Sequence, residues 1–158
     1  MASFGRYATI ALLMLAGSTS AFAAHLRVAP TSSPYAMAGS IEARAARGNA
    51  VAEARLGWLY LNGRGVPQDF HLAAKWFYRA AVQGEGFAQY QLAMMYNKGE
   101  GVPRDYLLAY MWLNLSASQA VGEDGDFKAR MRDAIASKMT DAQIKTAQRM
   151  AVGWYRAR

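Results

Sequence analysis

Gly63-Arg64-Gly65-Val66-Pro67-Gln68-Asp69-Phe70 returns 36 residues later as Gly99-Glu100-Gly101-Val102-Pro103-Arg104-Asp105-Tyr106. The correspondence continues in both directions. Upstream, Gly48 pairs with Gly84, Ala52 with Ala88, Leu56 with Leu92 and Tyr60 with Tyr96. Downstream, Leu72 pairs with Leu108, Ala73 with Ala109, Trp76 with Trp112, Ala81 with Ala117 and Gln83 with Gln119. A fixed period in the range of roughly 20–50 residues is the signature of stacked structural repeats.

Each repeat holds two helical stretches. Ala50 to Asn62 carries Ala52, Leu56 and Tyr60 at i, i+4 and i+8, which is one helical face. Gly63 can take the left-handed conformation that closes a helix, and Pro67 disfavours helical geometry at Val66. Asp69 then falls at the cap or first turn of the second helix, where its carboxylate can accept orphan backbone N–H groups. Phe70, Ala73, Ala74, Phe77, Ala80 and Ala81 form the apolar stripe of that helix, with Trp76 at its edge. The next repeat places helices at Gly86 to Lys98 and Asp105 to Gln119. Gly63, Gly65, Asp69 and Trp76, with Gly99, Gly101, Asp105 and Trp112, are therefore structural repeat positions.

The flanks follow the same logic more loosely. A helix is expected over 35–47, repeat 1 over 48–83 and repeat 2 over 84–119. An acidic, glycine-containing loop is expected from Ala120 to Asp126. A degenerate pair of helices over 126–158 caps the stack, as Phe127 to Met139 and then a helix begun by Thr140 with Gln143 as a capping box. Ile144, Ala147, Met150, Ala151 and Trp154 make the apolar face of the last helix. The expected fold is all-α, a superhelical α/α solenoid of tandem helix-turn-helix units spanning 35–158, with about seven helices.

Residues 1–23 read as a signal peptide. Arg6 supplies a positive start, Tyr7 to Ala16 an apolar run, and Ala21-Phe22-Ala23 a small-x-small cleavage pattern. The run is short of the ~20 residues that span a bilayer. Residues 24–34 form a linker, where Pro30, Ser32, Ser33 and Pro34 disfavour regular structure. The expected location is the periplasm or the outside, with no membrane span after cleavage.

The bulk properties remove several chemistries. The 158 residues contain no cysteine, so disulfides, thiolate catalysis and cysteine zinc sites are excluded. The net charge of +7 favours acidic partners, but the basic residues are scattered, with no run that would make a nucleic-acid arm.

At these residues the chain resembles the Sel-one-like repeat (SLR) family, α/α solenoids related to tetratricopeptide repeats. Ala52, Leu56, Gly57, Tyr60, Gly63, Gly65, Val66, Asp69, Phe70, Ala73, Trp76, Ala80 and Ala81 fit its pattern in the first repeat. The second fits at Ala88, Leu92, Tyr96, Gly99, Gly101, Val102, Asp105, Tyr106, Ala109, Trp112 and Ala117, and departs at Ala93 and Ser116. The resemblance implies an adaptor or scaffold that binds a protein or peptide. Some disulfide-rich relatives have been linked to β-lactam binding or hydrolysis, so a cell-wall glycan binder or a β-lactam- or peptidoglycan-related enzyme of the envelope is the alternative.

No catalytic set accompanies the repeats. The chain has no G-x-S-x-G elbow, no H-E-x-x-H and no Ser-x-x-Lys. Gly99-Glu100-Gly101-Val102 lacks the Gly-Lys-Ser/Thr of a phosphate loop. His71 is expected at the surface. Glu123, Asp124 and Asp126 lack the spaced ligands of a calcium loop. No catalytic residue, metal or cofactor is assigned.

A second stripe of each first helix is the candidate partner site. It runs through Val51, Arg55, Trp58 and Asn62, then through Phe87, Gln91, Met94 and Lys98. Arg55, Trp58, Asn62, Gln91, Met94 and Lys98 are assigned to a concave face, because aromatic, Met and Arg side chains are enriched at interfaces. Trp58 and Met94 could equally pack on the neighbouring repeat. Export is directly testable: mass spectrometry of periplasmic protein should find an N-terminus within a residue or two of Ala24, and a cytoplasmic species retaining Met1 contradicts it.

Overall fold

Glycines and aspartates decide where the helices stop and start. The computed structural model describes residues 34–156; the signal peptide expected at 1–23 and all but the last residue of the linker expected at 24–34 lie outside them. Seven helices occupy the described residues: α1 (Pro34–Ala46), α2 (Ala50–Asn62), α3 (Phe70–Val82), α4 (Gly86–Lys98), α5 (Tyr106–Gln119), α6 (Gly122–Ala136) and α7 (Asp141–Arg156). The bounds of α2 and α4 are those expected. Pro34 belongs to α1, whose first position tolerates a residue without an N–H.

The two turns are built alike. Gly63 adopts φ 64° and ψ 36°, and its N–H bonds the Leu59 carbonyl; Gly99 adopts φ 79° and ψ 33° and bonds that of Met95. Asp69 N–H donates to Tyr60 O and Asp105 N–H to Tyr96 O, each at 2.9 Å. The same aspartates cap the following helices, Asp69 accepting from Leu72 N–H and Asp105 from Leu107 and Leu108 N–H. Such a cap contributes about 1 kcal/mol. The Thr140–Gln143 capping box forms as expected, with Thr140 N–H donating to Gln143 Oε1 at 2.8 Å and Gln143 N–H to Thr140 Oγ1 at 3.3 Å.

Alanines let the helices approach, and large side chains fill what remains. Ala73, Ala74, Ala80, Ala81, Ala88 and Ala109 are buried around Phe77, Leu92, Leu113 and Trp112. Consecutive helices pack from α1 to α6, and α5 receives α4, α6 and α7. Tyr78 of α3, Trp112 of α5 and Trp154 of α7 meet edge-to-face, at 6.2 and 5.2 Å between ring centres.

Four expectations need correction. The acidic stretch 120–126 is not a loop, because α6 begins at Gly122. Glu123 and Asp124 lie in its first turn, where carboxylates favour the helix dipole, and Lys128 pairs with Asp124 at 2.7 Å. That helix also ends at Ala136 rather than Met139. Phe70 leaves the core stripe and is 40% exposed, since it opens α3 beside the turn. Met150 likewise faces outward, while Ala147 and Ala151 carry the α7 contact. Trp76 is half-buried at the edge, whereas Trp112 in the same register is 2% exposed, enclosed by rings from both neighbouring helices.

A buried polar bridge joins the helices of each repeat and was not evident beforehand. Glu53 is fully buried; it accepts from Arg79 Nε at 2.9 Å and Gln83 Nε2 at 2.6 Å. One repeat later Gln89 replaces it, Leu115 replaces Arg79, and Gln119 Nε2 donates to Gln89 Oε1 at 2.9 Å. Charge is lost on both sides together, which avoids stranding a buried ion. Ser116, a departure from the pattern, donates its hydroxyl to the Gly86 carbonyl at 2.7 Å.

The other departure, Ala93, has a steric cause. A Cβ on Gly57 would lie 2.9 Å from Phe77 Cδ1, and Phe77 is fully buried. In the second repeat the corresponding pair is Ala93 and Leu113. Gly57→Ala should destabilise by about 1–2 kcal/mol through overpacking, despite its better helix propensity. Gly57→Ala with Phe77→Leu should recover at least half of that in a thermal-melt double-mutant cycle. Additive losses would show that the two sites are not coupled.

Candidate partner-binding face

α2, α4 and α6 present side chains to two adjoining grooves, with α1 closing one end. A groove of about 280 Å³ is lined by Met37 and Ile41 of α1, Arg55, Trp58 and Leu59 of α2, and Phe87 of α4. A second, of about 310 Å³, is lined by Phe87 and Tyr90 of α4 with Asp124, Phe127 and Lys128 of α6. Phe87 is the wall they share. It is held edge-on to Phe77 at 6.1 Å yet remains 43% exposed. Tyr90 and Phe127 lie 6.1 Å apart across the second groove.

Local sequence explains these positions. Arg55 and Trp58 project from α2 on the stripe next to its buried residues Leu56 and Leu59. The Arg64 guanidinium, just after the Gly63 cap, sits 5.4 Å over the Trp58 ring. That contact covers part of the indole and fixes its plane. Burial raises the Tyr90 phenol above its ordinary range, reinforced by the Asp124 carboxylate, so Tyr90 remains a neutral donor at physiological pH.

Of the six residues assigned from sequence, Arg55 and Trp58 line a groove. Arg55, Asn62 and Lys98 are exposed. Asn62 folds back and donates to the Trp58 carbonyl at 2.8 Å, and Lys98 lies 3.6 Å from Glu100. Gln91 is partly exposed, and Met94 is half-buried against the main core. Met37, Ile41, Tyr90 and Phe127 were missed. The signals available were the i, i+4 apolar pair on α1 and the 36-residue step from Gln91 to Phe127.

Among the described residues no group of three or more His, Asp or Glu side chains is placed to hold a metal ion. No helix among them is long and apolar enough to cross a membrane.

The family model for the Sel1 repeat matches residues 50–85 and 86–121. The chain is similar to a protective antigen of uropathogenic Escherichia coli strains whose crystal structure displays an SLR fold. Identity is 29% and the TM-score 0.72, over 85% of this chain and 28% of that one. It is also similar to a Sel1 repeat protein from Oxalobacter formigenes, with 40% identity and a TM-score of 0.53 over 58% of this chain and 26% of that one. The chain thus matches about a quarter of the length of each of these structures. No curated protein matches it. Residues 50–121 are two tandem Sel1 repeats, set in an all-α solenoid with the SLR fold.

Proposed function

We propose that the protein is a non-enzymatic interaction module of the cell envelope that holds a protein or peptide against the α2–α4–α6 face. Sel1 repeat proteins are generally protein-interaction scaffolds. The observation that carries the reading is Phe87: a large apolar ring, nearly half exposed, shared by two adjoining grooves. Exposed aromatics in such a setting act as anchors for a partner's side chains. Arg55 adds to one groove a cation that forms no ion pair among the described residues, and it favours a partner with a carboxylate near its apolar anchor. The leader in residues 1–23 would deliver the protein to the periplasm or the outside.

The test is site-specific photo-crosslinking in cells. A photoreactive phenylalanine at position 87 or 55 should capture one discrete partner, and the same residue at Arg149, on the exposed side of α7, should not. Arg55→Glu, an exposed position, should leave the melt unchanged and reduce capture at 87 by about tenfold or more, a loss of roughly 1.4 kcal/mol. Equal capture at 149, or no capture at 55 and 87, contradicts the proposed face.

A further inference from the structure

The seam between the two repeats holds a cleft that shares no residue with the partner-binding grooves. Its volume is about 270 Å³, and Ala74, Lys75 and Tyr78 of α3, Leu92 and Tyr96 of α4, and Val102 of the second glycine turn line it. His71 stands at its rim, with Nδ1 3.2 Å from the Gly101 carbonyl. In the tautomer that donates from Nδ1, the other ring nitrogen is an acceptor.

The next seam, 36 residues on, has no such residues. Tyr110 stands where Ala74 was and Met111 where Lys75 was, and both are buried. A large side chain therefore occupies the register that Ala74 leaves open, and an apolar one replaces the ammonium. Repeat packing does not require a lysine or a gap at this register, because the second repeat packs without either.

We propose that this cleft binds a small aromatic carboxylate. Ala74, Leu92 and Val102 supply an apolar floor, and Tyr78 and Tyr96 supply aromatic walls for a ring. Lys75 supplies the cation. It forms no ion pair with a described carboxylate, and the Asp105 carboxylate that acts on Tyr96 is committed to capping α5. Burial raises the Tyr96 phenol, with Asp105 and Tyr78 adding to the effect, so it offers a neutral donor rather than a repelling anion. Size limits the ligand to a single ring with a short substituent, since drug-sized molecules occupy sites of roughly 300–1,000 Å³. One lysine and an apolar floor suit a monoanion better than a phosphate, which is matched by clustered or bidentate donors.

The experiment is a titration of the purified protein followed by backbone amide NMR shifts. Benzoate is the probe; benzyl alcohol is the uncharged ring control and acetate the ringless control. Benzoate should give saturable shifts centred on residues 74–78 and 92–102, with both controls weaker by about tenfold, the scale of one charge-assisted hydrogen bond. Lys75→Met borrows the residue of the second repeat; it should keep the melt and weaken benzoate binding to the level of benzyl alcohol. Ala74→Tyr should abolish the shifts by filling the floor, and Lys75→Met decides the matter if that variant does not fold. Non-saturating benzoate shifts, benzyl alcohol binding as tightly as benzoate, or unchanged affinity in Lys75→Met would each overturn the proposal.

Discussion

Gly101 has no room for a side chain. A Cβ there would lie 2.1 Å from the Phe70 carbonyl oxygen, 2.4 Å from its carbon and 2.9 Å from the His71 nitrogen. Its φ of 69° also lies in the left-handed region that favours glycine. The second glycine turn is therefore pressed directly onto the first turn of α3, backbone against backbone. That contact fixes the height at which one repeat meets the next. Side-chain packing alone leaves such a register softer, because side chains can repack.

Once the seam is set, the other contacts fall into line. Tyr78 comes within edge-to-face distance of Trp112, and Trp112 of Trp154, so a ladder of rings links α3, α5 and α7. Leu113, Leu115 and Ser116 of α5 become fully buried because α4, α6 and α7 all pack on that helix. On the other side of each repeat the first helices line up, which brings Phe87 between the α1–α2 groove and the α4–α6 groove. The seam thus positions both the proposed partner face and the small cleft beside Lys75.

The parts of this fold that were legible in the sequence are those decided by one residue at a time. A glycine that must be left-handed and an aspartate that must cap a helix leave signatures at fixed spacing, so α2 and α4 could be bounded to the residue. The start of α6 was not legible, because Val121 makes no side-chain cap and the acids of the first turn resemble a polar loop. Burial at equivalent positions was also hidden. Trp76 and Trp112 share a register, yet only Trp112 has an aromatic ring on each side. The groove was half legible. Arg55 and Trp58 follow from the helical wheel, but Met37 and Ile41 lie outside the periodic region, and Phe127 lies in a helix whose repeat character has eroded. The Glu53–Arg79 bridge appears only when two positions 26 residues apart are seen to change together.

The seam can be isolated by comparing two glycines of the same turn. Gly99 and Gly101 both have positive φ, but the nearest atoms to a Cβ on Gly99 would be those of Arg104, its Cβ at 3.2 Å and its backbone nitrogen at 3.4 Å. The decisive measurement is the thermal stability of Gly99→Ala beside Gly101→Ala. Both carry the backbone cost of alanine in a left-handed conformation, about 1–2 kcal/mol. Gly101→Ala should lose a further ~1–3 kcal/mol, because the turn must lift off α3. Equal melting temperatures for the two variants would show that the repeats are held in register by something other than the contact at Gly101.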